Sequence, residues 1–294
     1  IKKHELTRED KERDRQRHIE TLNAQTGPVF LTYKRVKAID KLIARAMTRE
    51  PESDFATYDG VRHVFFVVDD DRLIRTIQKE FRKLDVLYVA DGHHRSAAAT
   101  KIKAQRQAAN PGHTGDEEYN FFLAVIFPDN QMKILPYNRL VRDLNGMDRD
   151  AFLARVSERF VCEPSAEKVP SRPQEFAMYL GGAWYRLAAR PGTFDAQDAI
   201  ASLDVSILQA SLLAPVLGIQ DPRTDKRIDF VGGIRGTGEL ERKVDSGQFA
   251  VAFSFRATTI EQLFAVADAG KIMPPKSTWF EPKLKDGLVS HRID

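Results

Sequence analysis

Thirteen residues, Leu87 to Ala99 (LYVADGHHRSAAA), constrain this chain more than any other stretch, because they demand a change of structure within a few positions. Leu87 to Val89 has the β-branched and aromatic content of a buried strand. Gly92 permits a turn that other residues make at a cost, and Ser96 to Gln107 consists almost entirely of good helix formers. A strand, a glycine corner and a helix start follow one another directly. Such a corner aims free backbone N–H groups and the positive end of a helix dipole at one spot, where Arg95 and two imidazoles join them. The chemistry this favours is the binding of an anion, above all a phosphate.

Composition bounds that reading. With 294 residues, 42% hydrophobic and 30% charged, the chain is long enough for one large or two ordinary domains and has the balance of a globular protein. Its longest apolar run, Phe121 to Phe127, has strand length and falls far below the ~20 residues of a spanning helix, so no membrane association is expected. The single cysteine, Cys162, excludes an internal disulfide framework and suits a reducing compartment, which makes the cytoplasm the expected location. A net charge of +3, from 45 basic and 42 acidic residues, gives no broad electrostatic footprint for nucleic acid. The chain starts at Ile1 without a methionine, and residues upstream of it are expected.

Along the chain, the dense charges of His4 to Arg17 read as a solvated helix. On that reading His4 and Glu5 are two more polar residues on its wet face. Strands are expected at Val29 to Tyr33, Arg62 to Val68, Phe121 to Phe127 and Met132 to Leu135. Helices are expected at Ile39 to Met47 and Leu73 to Leu84, the latter with apolar residues at amphipathic spacing. This alternation defines a first α/β unit, residues 1–146.

A second α/β unit, residues 147–294, follows. It reads as a helix over Asp148 to Phe160, a loop over Pro164 to Pro173, a strand at Ala183 to Leu187, an apolar helix over Ser206 to Leu217, and strands ending at Gly233 and spanning Phe249 to Phe255. Thr258 to Glu261 opens a last helix with a cap-like hydroxyl, and Ala269-Gly270 closes it. The chain then enters MPPKSTWFEPK, Met273 to Lys283, whose three prolines specify an extended strap without regular hydrogen bonding. Lys276, Ser277 and Thr278 on that stiff backbone are candidate phosphate ligands, while Trp279 and Phe280 equally suit a strap that covers a core edge.

His4-Glu5, the DGHHR pentad Asp91 to Arg95, Ile134-Leu135-Pro136 with Arg139, Leu203-Asp204-Val205 and the closing MPPKSTWFEPK together resemble the bacterial and archaeal family labelled domain of unknown function 1015. Many members have a histidine before the arginine of the Leu-Pro motif. This chain has Asn138 there, so no role of that histidine carries over. More remotely, Gly92, His94 and Arg95 resemble the phosphate-binding corner of the ParB and sulfiredoxin superfamily, which includes free serine kinases. His93 stands where sulfiredoxin has its reactive cysteine, so thiol chemistry has no residue to run on.

The resemblance implies a ParB/sulfiredoxin-like, nucleotide-binding first unit of mixed α/β (α+β) class. It also implies transfer of a phosphoryl group from a nucleoside di- or triphosphate, ATP or ADP, to a small hydroxyl substrate such as free serine. In that reading Glu5, Asp91 and His93 are catalytic, and Gly92, His94, Arg95, Ser96, Arg139, Lys276, Ser277 and Thr278 hold phosphate or nucleotide. Asp91 either holds Mg2+ or caps the helix through backbone N–H groups. A metal held by the adjacent pair His93 and His94 is disfavoured, since neighbouring helical residues point about 100° apart. The alternative function is a ParB-like regulatory or DNA-partitioning module without turnover, which would want a helix-turn-helix and a basic face. A small-molecule sensor is a third.

Overall fold

The computed structural model describes residues 1–294. In chain order its elements are α1 (Glu9–Leu22), β1 (Ala24–Gln25), β2 (Val29–Tyr33), α2 (Lys37–Ala46), β3 (Ser53–Ala56), β4 (Arg62–Phe65), α3 (Asp71–Phe81), β5 (Tyr88–Asp91), α4 (His93–Ala109), β6 (Ala124–Pro128), β7 (Lys133–Leu135) and β8 (Tyr137–Val141). There follow α5 (Arg149–Ser157), β9 (Phe160–Pro164), β10 (Glu175–Leu180), β11 (Ala183–Ala189), α6 (Asp204–Leu208), β12 (Ile228–Gly232), α7 (Gly238–Asp245), β13 (Val251–Ser254), α8 (Ile260–Asp268), β14 (Trp279–Glu281) and β15 (His291–Arg292). The class is mixed α/β, as the sequence indicates. No helix is long and apolar enough to cross a membrane.

Two sheets carry the structure. A three-stranded sheet in the order β5-β2-β6 has β2 at its centre, antiparallel to β5 and parallel to β6. All five residues of β2 are buried, and its sequence is accordingly apolar apart from Thr32 rather than alternating. The second sheet is six-stranded and antiparallel, in the order β12-β8-β13-β10-β11-β9. Strand β8 lies on the N-terminal side of the expected division at residue 146, yet it hydrogen-bonds into the sheet built by the C-terminal half. One cluster of 31 buried residues joins Phe30, Tyr88 and Ala90 to Phe176, Phe253 and Phe280, so the two halves share a core.

The cap-like hydroxyl expected at the last helix is Thr259, which caps α8 in a reciprocal box with Gln262. The expected amphipathic helix is α3, and Asp70 caps it by accepting hydrogen bonds from the N–H groups of Arg72 and Leu73. Other expectations need correction. The first helix starts at Glu9, and His4 and Glu5 precede it outside any helix, with a bend at Glu5. Lys2 forces that course: its N–H donates to the Leu87 carbonyl and its own carbonyl accepts from Val89, zipping the N-terminus alongside β5. The apolar stretch from Ser206 is helical from Asp204 only to Leu208, then widens into a π-turn over Gln209–Leu213. Pro215 accounts for the ending, because it lacks an N–H and its ring crowds the carbonyl four residues back.

Strand β10 carries no β-branched residue and was silent in the sequence, yet all six of its residues are buried mid-sheet. The strap is also more regular than expected: β14 pairs antiparallel with β7, Phe280 opposite Ile134. Trp279 lies against Gly232, where an added Cβ would meet ring carbons at 2.6 Å. Gly232→Ala should therefore destabilise the fold by about 1–3 kcal/mol. Urea unfolding measures this, and an unchanged midpoint would show that the strap does not seal against β12.

Asp204, from the Leu203-Asp204-Val205 motif, accepts a hydrogen bond from the Gln174 N–H at 2.8 Å. Burial raises its carboxyl to about 6 against that hydrogen bond and the Arg256 charge. A carboxyl raised on folding contributes its stability below the unfolded value near 3.8 and loses it as pH rises through about 6. Asp204→Asn keeps the acceptor without the charge, so its stability relative to the native chain should improve between pH 4 and pH 7. Denaturant unfolding at both pH values tests the sign.

Candidate functional site

Gly92 makes the corner. It sits at φ +90° as the residue before α4, a left-handed conformation that glycine adopts without penalty. A Cβ there would also lie 3.0 Å from the Arg95 guanidinium, which folds back over the glycine. Arg95 forms no ion pair, and its Nε is buried without a hydrogen-bond partner. It lines a polar pocket with Arg15, His18, Thr26, Gly27 and Asp286. The helix start thus presents a guanidinium in no ion pair, its charge acting on Asp91 and the Asp286 carboxylate lining the same pocket.

Asp91 is held from both sides. Its Oδ1 accepts the Gly92 N–H at 2.7 Å, and its Oδ2 meets the Lys283 ammonium at 3.1 Å. Burial by itself would push the carboxyl up, but Lys283, the Gly92 N–H and Arg95 together hold it below the ordinary range. The contact made with backbone is to Gly92 itself. No local signal in the sequence marks Lys283 as the partner of Asp91, because the two lie 192 residues apart.

The imidazoles behave differently from one another. His93 is buried, and desolvation pushes it down to about 4, so it is neutral at pH 7 and supplies no charge to a phosphate. His94 is half-buried and also shifted down by burial. Its Nε2 accepts the Arg8 N–H at 3.0 Å, which spends that nitrogen on anchoring α1 to α4. Ser96 lies half-buried in the first turn of α4.

The remaining candidates divide. Glu5 has half its side chain exposed, with its Oε2 4.0 Å from His93 Nδ1. Crowding by the protein raises its carboxyl, opposed by the Lys276 charge and assisted by Asp91. Lys276 adopts φ +56°, and its ammonium lies 5.1 Å from the Tyr137 ring centroid. Ser277 requires correction as a phosphate ligand: it is buried, and its hydroxyl donates to the Pro274 carbonyl at 2.6 Å. Thr278 is half-buried beside it.

Arg139 requires the same correction. It is buried between the Phe230 and Phe255 rings, with guanidinium donors on the Tyr137 and Pro275 carbonyls, and burial lowers it to about 9. It braces the strap from beneath rather than facing the cleft. Asn138, where relatives have histidine, is buried and accepts the Phe255 N–H at 3.2 Å.

The family described as Protein of unknown function (DUF1015) matches residues 1–206, more than two thirds of the chain, and the pentad lies inside the match. The chain belongs to this family. Among solved structures, this DUF1015 protein is similar to a free serine kinase variant in complex with AMP, at 14% identity and a TM-score of 0.46, covering 95% of this chain and 83% of that one. A conserved hypothetical protein from Pyrococcus furiosus is 15% identical with a TM-score of 0.45, covering 97% and 89%. C-terminally truncated SbnI from Staphylococcus aureus is 13% identical with a TM-score of 0.47, covering 96% and 79%. No curated protein matches the chain in sequence.

In the DUF1015 chain, the strap therefore meets the pentad through Lys283, with Lys276 placed over Tyr137 and acting on Glu5. Lys283→Ala should let the Asp91 carboxyl titrate at higher pH, since burial would then be opposed only by Gly92 and Arg95. Carbon-detected NMR titration of that carboxyl provides the measurement, and an unmoved midpoint would show the ion pair to be absent in solution.

Proposed function

We propose that the chain is a nucleotide-dependent phosphotransferase that binds a nucleoside di- or triphosphate, ADP or ATP, at the Gly92 corner. It passes a phosphoryl group to a small hydroxyl acceptor, with free serine the candidate suggested by the pentad's resemblance to free serine kinases. One observation carries this reading: Arg95, unpaired and folded over Gly92 at the start of a seventeen-residue helix, with a lysine-bearing strap closing on the same corner. Phosphoryl transfer asks mainly for positioning and charge neutralisation, and this corner supplies both.

In this reading Arg95 and the Gly92 turn receive phosphate oxygens, while Lys276 and Lys283 offset the charge as point donors. Glu5, with its carboxyl raised toward neutrality, takes the acceptor's proton as its oxygen bonds to phosphorus and the bond to the nucleotide breaks. Mg2+ would accompany the nucleotide with Asp91 as its protein ligand. The side chain suits that role because Oδ2 is held by an exchangeable ammonium rather than by backbone. His93 shapes the floor as a neutral ring. The partners are small molecules, not nucleic acid or membrane, and the compartment is the cytoplasm.

Arg95→Ala should weaken ADP or ATP binding by tenfold to a hundredfold, about 1.5–3 kcal/mol for loss of one charged partner. Calorimetry on the whole chain, with circular dichroism to verify the fold, makes the comparison. Equal affinity in a folded variant would move the nucleotide elsewhere.

A further inference from the structure

Three ring nitrogens are buried here with nothing to bond. His4 is 2% exposed, and neither Nδ1 nor Nε2 has a hydrogen-bond partner. His93 is 7% exposed, and its Nε2 is in the same condition. The Val89 backbone favours a proton on the His4 ring without completing a hydrogen bond to it. The two rings meet edge to face with centroids 4.6 Å apart. A buried polar atom left unsatisfied costs on the order of 1–3 kcal/mol, so orphaned nitrogens on two touching rings point to a ligand; one ion can engage a single nitrogen per ring.

The donor set says which ligand. One donor atom from each of His4, Glu5 and His93 lies within 4.8 Å of the other two. We propose that His4, Glu5 and His93 form a binding site for one borderline divalent cation, Zn2+ by preference. Two imidazoles and one carboxylate are a common three-residue set for zinc and leave a coordination position open. Magnesium prefers oxygen donors and keeps its water, so this site differs in kind from one at Asp91. Both rings are neutral at pH 7, so their lone pairs are free for donation.

The surroundings hold two of the three ligands in place. The His4 carbonyl accepts the Met273 N–H at 2.8 Å, the Lys2 ladder fixes the segment on β5, and the Phe280 ring closes over His4 at 6.1 Å. His93 is the first residue of α4. Glu5, half exposed, is the mobile ligand. Tetrahedral zinc with bonds of 2.0–2.1 Å needs its ligands about 3.3–3.5 Å apart, so binding draws the three donor atoms together from their present spacing of up to 4.8 Å, by turning the two rings as well as the Glu5 side chain. Among neighbouring charges, Asp91 favours the cation, while Lys3 and Lys276 oppose it.

Occupation would take the Glu5 carboxylate out of proton transfer. Zinc would then inhibit turnover and a chelator would restore it. That consequence rests on the phosphotransfer reading, whereas metal uptake does not. The test uses the whole chain, stripped with chelator and titrated with Co2+ and then Zn2+, with bound metal counted by mass spectrometry after gel filtration. One Co2+ per chain with ligand-field absorption, displaced by Zn2+ and not by millimolar Mg2+, is the expected result. Glu5→Gln, at an exposed position that leaves the fold intact, should weaken binding at least tenfold, and His93→Gln further. Absence of stoichiometric uptake by the native chain would overturn the site, as would unchanged affinity in Glu5→Gln. Either failure would leave the Arg95 calorimetry unaffected.

Discussion

Phe280 is the contact on which the site depends. It is 3% exposed, 6.1 Å from the His4 ring and 6.2 Å from Phe30, and its strand β14 is hydrogen-bonded to β7. One side chain thereby locks the N-terminal segment, the central strand of the small sheet and the strap into a single packing unit. Exposing a phenylalanine costs roughly 1.5–3 kcal/mol, so the strap does not lift freely. Lys276 and Lys283 flank that anchor and are presented by backbone that is already ordered. Less conformational freedom is then lost when an anion binds between them.

What the sequence disclosed follows the range of the interactions involved. The β2 run, the Gly92 corner, the alanine-rich α4 and the Thr259 cap are set by residues within one or two turns of each other, and each stands where the pattern places it. His4 was illegible for the opposite reason. Its neighbours are those of a wet helix, and only the pairing of Lys2 with Leu87 and Val89, far along the chain, draws it into the interior. Lys283 and β10 failed in the same way, one through a partner 192 residues away and the other through helix-forming residues placed mid-sheet. Ser277 shows the reverse error: a hydroxyl that looked available is consumed by the Pro274 carbonyl three residues before it.

The charges at the corner sort by how they respond to burial. Imidazoles lose their proton when desolvated, and His4 and His93 do so completely at neutral pH. The cations placed around the corner are instead the Arg95 guanidinium, folded over Gly92, and the ammonium groups of Lys276 and Lys283. Family motifs that group histidines and arginine in one pentad thus combine two chemistries. One residue is a guanidinium folded over the glycine corner, and another is a buried, neutral ring.

Arg139 shows how a buried cation can serve the site without touching it. It has no carboxylate partner. Two aromatic faces and two backbone carbonyls stabilise it, and one of those carbonyls belongs to Pro275. The next residue, Lys276, sits at φ +56°, a conformation that costs a side-chain-bearing residue about 1–2 kcal/mol. Strain persists only where the surroundings over-determine it. Here Arg139 pulls on the carbonyl before the lysine, Ser277 closes a turn on Pro274 after it, and Thr258 donates to the Ser277 carbonyl. Every one of these contacts fixes backbone, and none uses the Lys276 ammonium, which remains over Tyr137 with its charge acting on Glu5. Arg139 is therefore a positioning residue for the strap: the buried cation holds the turn on which the exposed Lys276 stands.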